Sequence, residues 1–235
     1  MPTEHHIKVA RTARYYMLGE PGPGTRDVWF VCHGYNQLAG DFIREFEPIA
    51  EPARVIVAPE ALSRYYLSTE PRFHAAEAKI GATWMTRADR EAEIADYVAY
   101  LDDLYDEIFT RATRAEVSVT VVGFSQGGAT ANRWLTRGRA RADRLIMWGA
   151  LLATDADLDQ AAAFFRDVKL TIVYGTRDQF AKEGMIANYE KLLHEKNVPF
   201  ELIKFEGGHR MDRATLAALA QFNMEGTTKN TKNTE

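Results

Sequence analysis

The chain has 235 residues, a formal net charge of −4, and is 46% hydrophobic and 26% charged. That profile suits one globular domain with a continuous core, and the lack of a Lys/Arg block to neutralise phosphates argues against a nucleic-acid partner. The longest apolar run, 145–153, is far too short to cross a bilayer, so no transmembrane segment is expected. A single cysteine, Cys32, allows no internal disulfide, and with no signal-peptide pattern at the N-terminus the expected location is cytoplasmic.

Residues 7–18 are expected to form an antiparallel strand pair, after which Pro21-Gly22-Pro23-Gly24 turns the chain into the main sheet. Short apolar, β-branched runs follow at 28–32, 54–58, 117–122, 145–148, 170–174 and 200–205. Helical patterns separate them, which predicts a mainly parallel sheet with helices on both faces. The clearest helix carries Ile94, Val98, Leu101, Tyr105 and Ile108 at spacings of three and four, an apolar stripe with no assigned chemistry. Thr86 and Asp89 read as its capping box.

The connection between Pro59 and Trp84 is long, and it follows a strand's carboxyl end, where α/β folds bind ligands. Tyr65, Tyr66, Phe73 and Trp84 are expected there as substrate-binding residues lining an apolar acyl or aryl pocket. The bland alternative is that these aromatics pack the loop down. Residues 225–235 are polar and expected to be a disordered tail, leaving 1–224 as a single domain.

Gly123-Phe124-Ser125-Gln126-Gly127 directly follows the 117–122 run and precedes a helical stretch. This is the Gly-x-Ser-x-Gly elbow in the strand–turn–helix setting that the motif requires, and it points to the α/β-hydrolase fold with Ser125 as nucleophile. With four serines and 16 glycines in the chain, chance placement would give roughly 0.02 such motifs. A serine hydroxyl needs a base, and the base needs a third group to hold its tautomer. In this fold the order is serine, then acid, then histidine. Of six histidines, only His209, in Gly207-Gly208-His209, follows a late strand. Asp178 follows the turn at Gly175 and is the expected acid, with Asp155 and Asp157 as runners-up. The backbone N–H of Gln126 is one expected oxyanion donor and that of Tyr35, after Gly34, the other. His33 is read as a brace for that loop, and Cys32 as core.

These motifs resemble those of the carboxylesterase/phospholipase family that includes the acyl-protein thioesterases. The elbow Gly123-Phe124-Ser125-Gln126-Gly127-Gly128, His33-Gly34 after an apolar strand, Gly175 with Asp178, and Gly208-His209 occur in that family's order, over roughly 27–220. The resemblance implies a compact serine esterase with a minimal lid, no cofactor, no metal, and an oxyanion hole from Gln126 and Tyr35. The chain departs from the family's pattern at Asn36, where a second glycine is frequent, at Ala153, where proline is frequent, and at Gln179-Phe180-Ala181-Lys182 after the acid. The expected partner is a small-molecule ester or thioester, and a homodimer is left open. A lysophospholipase or acyltransferase on the same triad is the alternative, and a non-catalytic hydrolase-fold binding protein the third reading.

Overall fold

Alternating apolar residues on consecutive strands build a two-sided core, because successive side chains on a strand point to opposite faces. In the computed structural model, which describes residues 1–68, 78–153, 155, 157–181 and 183–228, seven strands form one sheet in the order β1-β3-β2-β6-β7-β8-β9. The strands are β1 (Tyr15–Leu18), β2 (Asp27–Cys32), β3 (Arg54–Pro59), β6 (Ser118–Phe124), β7 (Arg144–Trp148), β8 (Lys169–Gly175) and β9 (Glu201–Phe205). All pairings are parallel except that of β1, which lies antiparallel on β3 at the edge.

Val28, Phe30, Val119, Val121, Leu145 and Met147 face one layer, with α2 (Arg90–Phe109), α3 (Gln126–Arg137) and α4 (Leu158–Phe164). Trp29, Val31, Val122, Ile146 and Trp148 face the other, with α1 (Ala39–Phe42), the 3₁₀ turn Ile43–Ile49 and α6 (Arg213–Thr228). Both faces of the sheet are therefore covered, as the unbroken apolar runs require. Helix α5 (Glu183–Glu195) connects β8 to β9.

The topology positions the site. After β2 the chain moves to β3 on one side, and then returns to β6 on the other side of β2 and continues outward to β9. The switch therefore falls between β2 and β6, whose last paired residues are Cys32 and Gly123. Loops leaving the carboxyl ends of those two strands diverge, which opens a crevice there.

Two expectations need correction. Residues 7–14 form no strand, since Ile7 and Val9 are solvent-exposed and bring no apolar face to bury, so β1 pairs only with β3 and not with a strand before it. Helix α2 begins at Arg90, with Asp89 at φ 52° before it. The Thr86–Asp89 capping box is replaced by Glu93, whose carboxylate accepts the Thr86 N–H at 2.5 Å. Helix α6 spans Arg213–Thr228, and its first twelve residues are rich in alanine and leucine with no breaker. Finally, the long connection contains a two-stranded hairpin, β4 (Ser63–Tyr66) with β5 (Ile80–Thr83).

Candidate active site

Ser125 lies between the last residue of β6 and the first of α3, at φ 52°, ψ −118°. L-residues avoid this conformation, so the surroundings must hold it. The Ser125 N–H donates to Trp148 O at 2.9 Å, and its carbonyl accepts the Gly128 N–H at 2.9 Å. Gly127 is required by close approach: a Cβ there would run into the carbonyl oxygens of Cys32 and His33 at the end of β2. The turn thus seats α3 directly against the neighbouring strand, with its first N–H groups at the crevice.

His209 Nδ1 and Asp178 Oδ2 are 2.7 Å apart, with the Asp178 carboxylate buried and His209 only 16% exposed. The other carboxylate oxygen, Oδ1, accepts the Phe180 N–H at 2.8 Å. The two loops that carry the pair are tied together, Thr176 N–H to Phe205 O at 2.9 Å and Arg177 N–H to Gly207 O at 2.8 Å. Because Asp178 accepts at Nδ1, that nitrogen carries the imidazole proton and Nε2 is left as the basic atom. The imidazole reaches back from β9 over the ends of β8 and β7, and its ring centroid lies 4.8 Å from that of Phe124, next to Ser125. Gly149, at the end of β7, makes this crossing feasible. It adopts φ 58°, and a Cβ there would come within 2.9 Å of His209 Cε1 and 3.4 Å of Asp178 Oδ2.

The two runner-up carboxylates are occupied elsewhere. Asp155 pairs with Arg133 at 2.6 Å and with Arg90 at 3.1 Å, and also with Arg137. The hydrogen bond from Arg133, reinforced by the charges of Arg133 and Arg137, holds its carboxyl down at about 2. Asp157 caps α4, accepting the N–H groups of Asp159 and Gln160.

The loop after β2 folds on itself, with Gly34 N–H donating to Gln37 Oε1 at 2.7 Å and Gln37 N–H to Gly34 O at 3.3 Å. Among the described residues no group accepts the N–H of Tyr35 or of Gln126, the first residue of α3. The Gln126 side chain is fixed at both ends. Its Oε1 accepts the Trp84 N–H at 3.1 Å, and its Nε2 donates to Met85 O at 3.0 Å. His33 is fully buried; its Nδ1 donates to Gly34 O at 2.8 Å, and its Nε2 accepts the Ala61 N–H at 3.1 Å. Both ring nitrogens are thus used, and burial pushes the His33 pKa below the ordinary histidine value.

A native state that keeps His33 neutral loses stability as pH falls below the unfolded value, near ~6.5, because only the unfolded chain then takes the proton. The unfolding free energy by urea titration is expected to be lower at pH 5.5 than at pH 7.5, and His33→Asn should flatten that difference. An equal difference in the variant would assign the pH dependence to other groups.

The residues expected to bind substrate divide. Trp84 is 3% exposed, packs in the core, and donates its indole N–H to His33 O at 2.8 Å. From that position it braces the loop after β2. Tyr65 and Tyr66 sit on β4, Tyr65 half-buried with its hydroxyl donating to Asn36 Oδ1 and Tyr66 40% exposed. Phe73 lies outside the described residues. Phe180 was not singled out as a contact residue, yet it is 62% exposed with its ring 4.8 Å from His209. Its signal in the sequence was the altered run 179–182 after the acid. Among the described residues, one group could gather metal-ligand atoms, Glu4, His6 and Asp89, all exposed at the start of α2 and outside the triad.

Several solved structures share this fold. Acyl-protein thioesterase 2 of Zea mays superposes with a TM-score of 0.66 at 15% identity, covering 92% of this chain and all of that one. Esterase PE8 gives 0.65 at 19% identity over 92% and 99%, and the Bacillus cereus carboxylesterase 0.64 at 12% over 91% and 94%. No curated protein sequence matches the chain. The family described as Phospholipase/Carboxylesterase matches residues 27–224, a span that includes the elbow and both triad loops, and the chain accordingly belongs to that family of carboxylic ester hydrolases.

Proposed function

We propose that this enzyme is a serine esterase acting on small carboxylic esters or thioesters through Ser125, His209 and Asp178. The observation that carries the reading is the buried Asp178–His209 pair, 2.7 Å apart, brought beside the strained elbow of Ser125. His209 Nε2 takes the hydroxyl proton as Ser125 Oγ attacks the acyl carbon. The carbonyl oxygen becomes an oxyanion held by the N–H groups of Gln126 and Tyr35. Collapse breaks the bond to the alcohol or thiol, which leaves with the proton from His209, and water then repeats the sequence on the acyl-enzyme. Asp178 stays ionised throughout and stabilises the imidazolium.

Every group in this scheme comes from one chain, so the chemistry needs no second copy, no cofactor and no metal. The absence of a helix long and apolar enough to cross a membrane among the described residues, and the lone buried cysteine, support a cytoplasmic setting. Labelling tests the reading directly. A fluorophosphonate is expected to add one equivalent, recovered by mass spectrometry on the peptide containing Ser125, with parallel loss of p-nitrophenyl ester and thioester turnover. Adduct on any other residue, or full turnover by the labelled enzyme, would reject it.

A further inference from the structure

The β4–β5 hairpin lies in the connection expected from sequence to line a pocket, and it touches the loops that carry both proposed oxyanion donors. On the Gln126 side, Trp84 N–H and Thr83 Oγ1 hold the glutamine amide. On the Tyr35 side, three features converge on the next residue, Asn36. Its N–H donates to Ala82 O at 3.0 Å. Gly81 lies against it so closely that a Cβ would stand 2.9 Å from Asn36 O and 3.0 Å from Asn36 Cα. The Tyr65 hydroxyl, opposite Gly81 in the register, donates to Asn36 Oδ1. Asn36 itself is held at φ 68°, a left-handed conformation that asparagine tolerates better than most residues but still at a cost. The Tyr35–Asn36 peptide is therefore anchored to the hairpin through its own N–H, and that anchor restricts how the adjoining Gly34–Tyr35 peptide, which carries the unpaired Tyr35 N–H, can turn.

We propose that Tyr65 is a positioning residue of the oxyanion hole, acting through its hydroxyl bond to the Asn36 side chain rather than by contact with substrate. This rests on the serine-esterase reading above. Burial and the neighbouring Tyr35 phenol push the Tyr65 hydroxyl upward, so it remains protonated and a donor. The Tyr35 and Tyr65 rings, with centroids 6.0 Å apart, complete the contact. The chain's departure from the family pattern at position 36 then has a physical sense. A glycine there would reach the left-handed conformation freely, whereas asparagine reaches it and also supplies the acceptor that ties the turn down.

The test is Tyr65→Phe, which deletes only the hydroxyl. Removing an oxyanion donor outright costs about 10²–10³ in kcat, and loosening one by a single bracing hydrogen bond is expected to cost about five- to tenfold. KM should change less than about twofold. Affinity for a trifluoromethyl ketone, whose adduct carries a tetrahedral oxyanion, should weaken by the same factor as kcat. In an Asn36→Ala background, which lacks the acceptor, Tyr65→Phe should have no further effect. Asn36→Asp, which keeps an acceptor, should hold kcat nearer to wild type than Asn36→Ala does. Wild-type kcat and inhibitor affinity in Tyr65→Phe, or a loss that is undiminished in the Asn36→Ala background, would overturn the assignment while leaving the triad intact. Failure of the wild-type enzyme both to hydrolyse esters and to take a fluorophosphonate would overturn the triad reading and this inference together.

Discussion

Ser125→Ala is expected to lower kcat for a p-nitrophenyl ester by on the order of 10⁴–10⁶ while leaving the fold intact. The alanine removes the attacking oxygen but none of the contacts that shape the turn, because the Trp148 and Gly128 bonds both go to the backbone of residue 125. Residual turnover would reflect bound water and the two N–H donors alone. The same position offers a second readout, in stability. At φ 52°, ψ −118° any side chain with a Cβ is strained by about 1–3 kcal/mol. Alanine keeps that strain and glycine relieves it, so Ser125→Gly is expected to unfold at higher urea than Ser125→Ala, although the glycine also gains entropy in the unfolded chain. Wild-type-like turnover by purified Ser125→Ala would remove Ser125 from the chemistry. Equal stability of the two variants would show that the elbow stores little strain.

What the sequence disclosed follows from which signals are local. The parallel strands were legible because a strand buried on both faces reads as a short, largely β-branched run, as at 117–122 and 170–174, too short for a helix and flanked by turn residues. The elbow was legible because glycines at 123 and 127 serve a purpose that sequence spacing already encodes, close approach of a strand and a helix. The hairpin was not, because β4 carries Arg64 and the polar-tipped Tyr65 and Tyr66, and β5 is Ile80-Gly81-Ala82-Thr83. Neither shows enough apolar alternation to separate a strand from a loop. The direction of Trp84 was not legible for a related reason. Aromatics after a strand's carboxyl end suggest a pocket, but whether Trp84 points into a pocket or into the core depends on α2, through Tyr97, and no local pattern reveals that. Gly149 was passed over because it is a lone glycine after a strand, and its purpose appears only once His209, sixty residues later in the chain, lies across it.

Exchanging the two candidate acids one at a time is expected to separate catalysis from stability. Asp178 uses both oxygens as acceptors, one for the Phe180 N–H and one for His209 Nδ1. An amide has only one acceptor oxygen. In Asp178→Asn, if that oxygen keeps the Phe180 N–H, the amide NH₂ faces Nδ1 and forces the imidazole proton onto Nε2, the atom that must accept from serine. If the amide turns the other way, the NH₂ opposes the Phe180 N–H, and the loop that carries the acid shifts. Either way the base is lost or misplaced, and kcat/KM should fall by about 10³–10⁴. Asp155→Asn breaks a different arrangement. Its carboxylate neutralises Arg133, whose side chain is only 6% exposed, together with Arg90 and Arg137. An asparagine there leaves a nearly buried guanidinium with a weaker partner, which should cost about 1–3 kcal/mol of stability, while kcat/KM stays within about twofold. The measurements are kcat/KM and urea midpoints for both variants, side by side. The opposite ranking in kcat/KM would transfer the acid to Asp155, and it would require the imidazole to turn away from the Gly149 platform that its present orientation occupies.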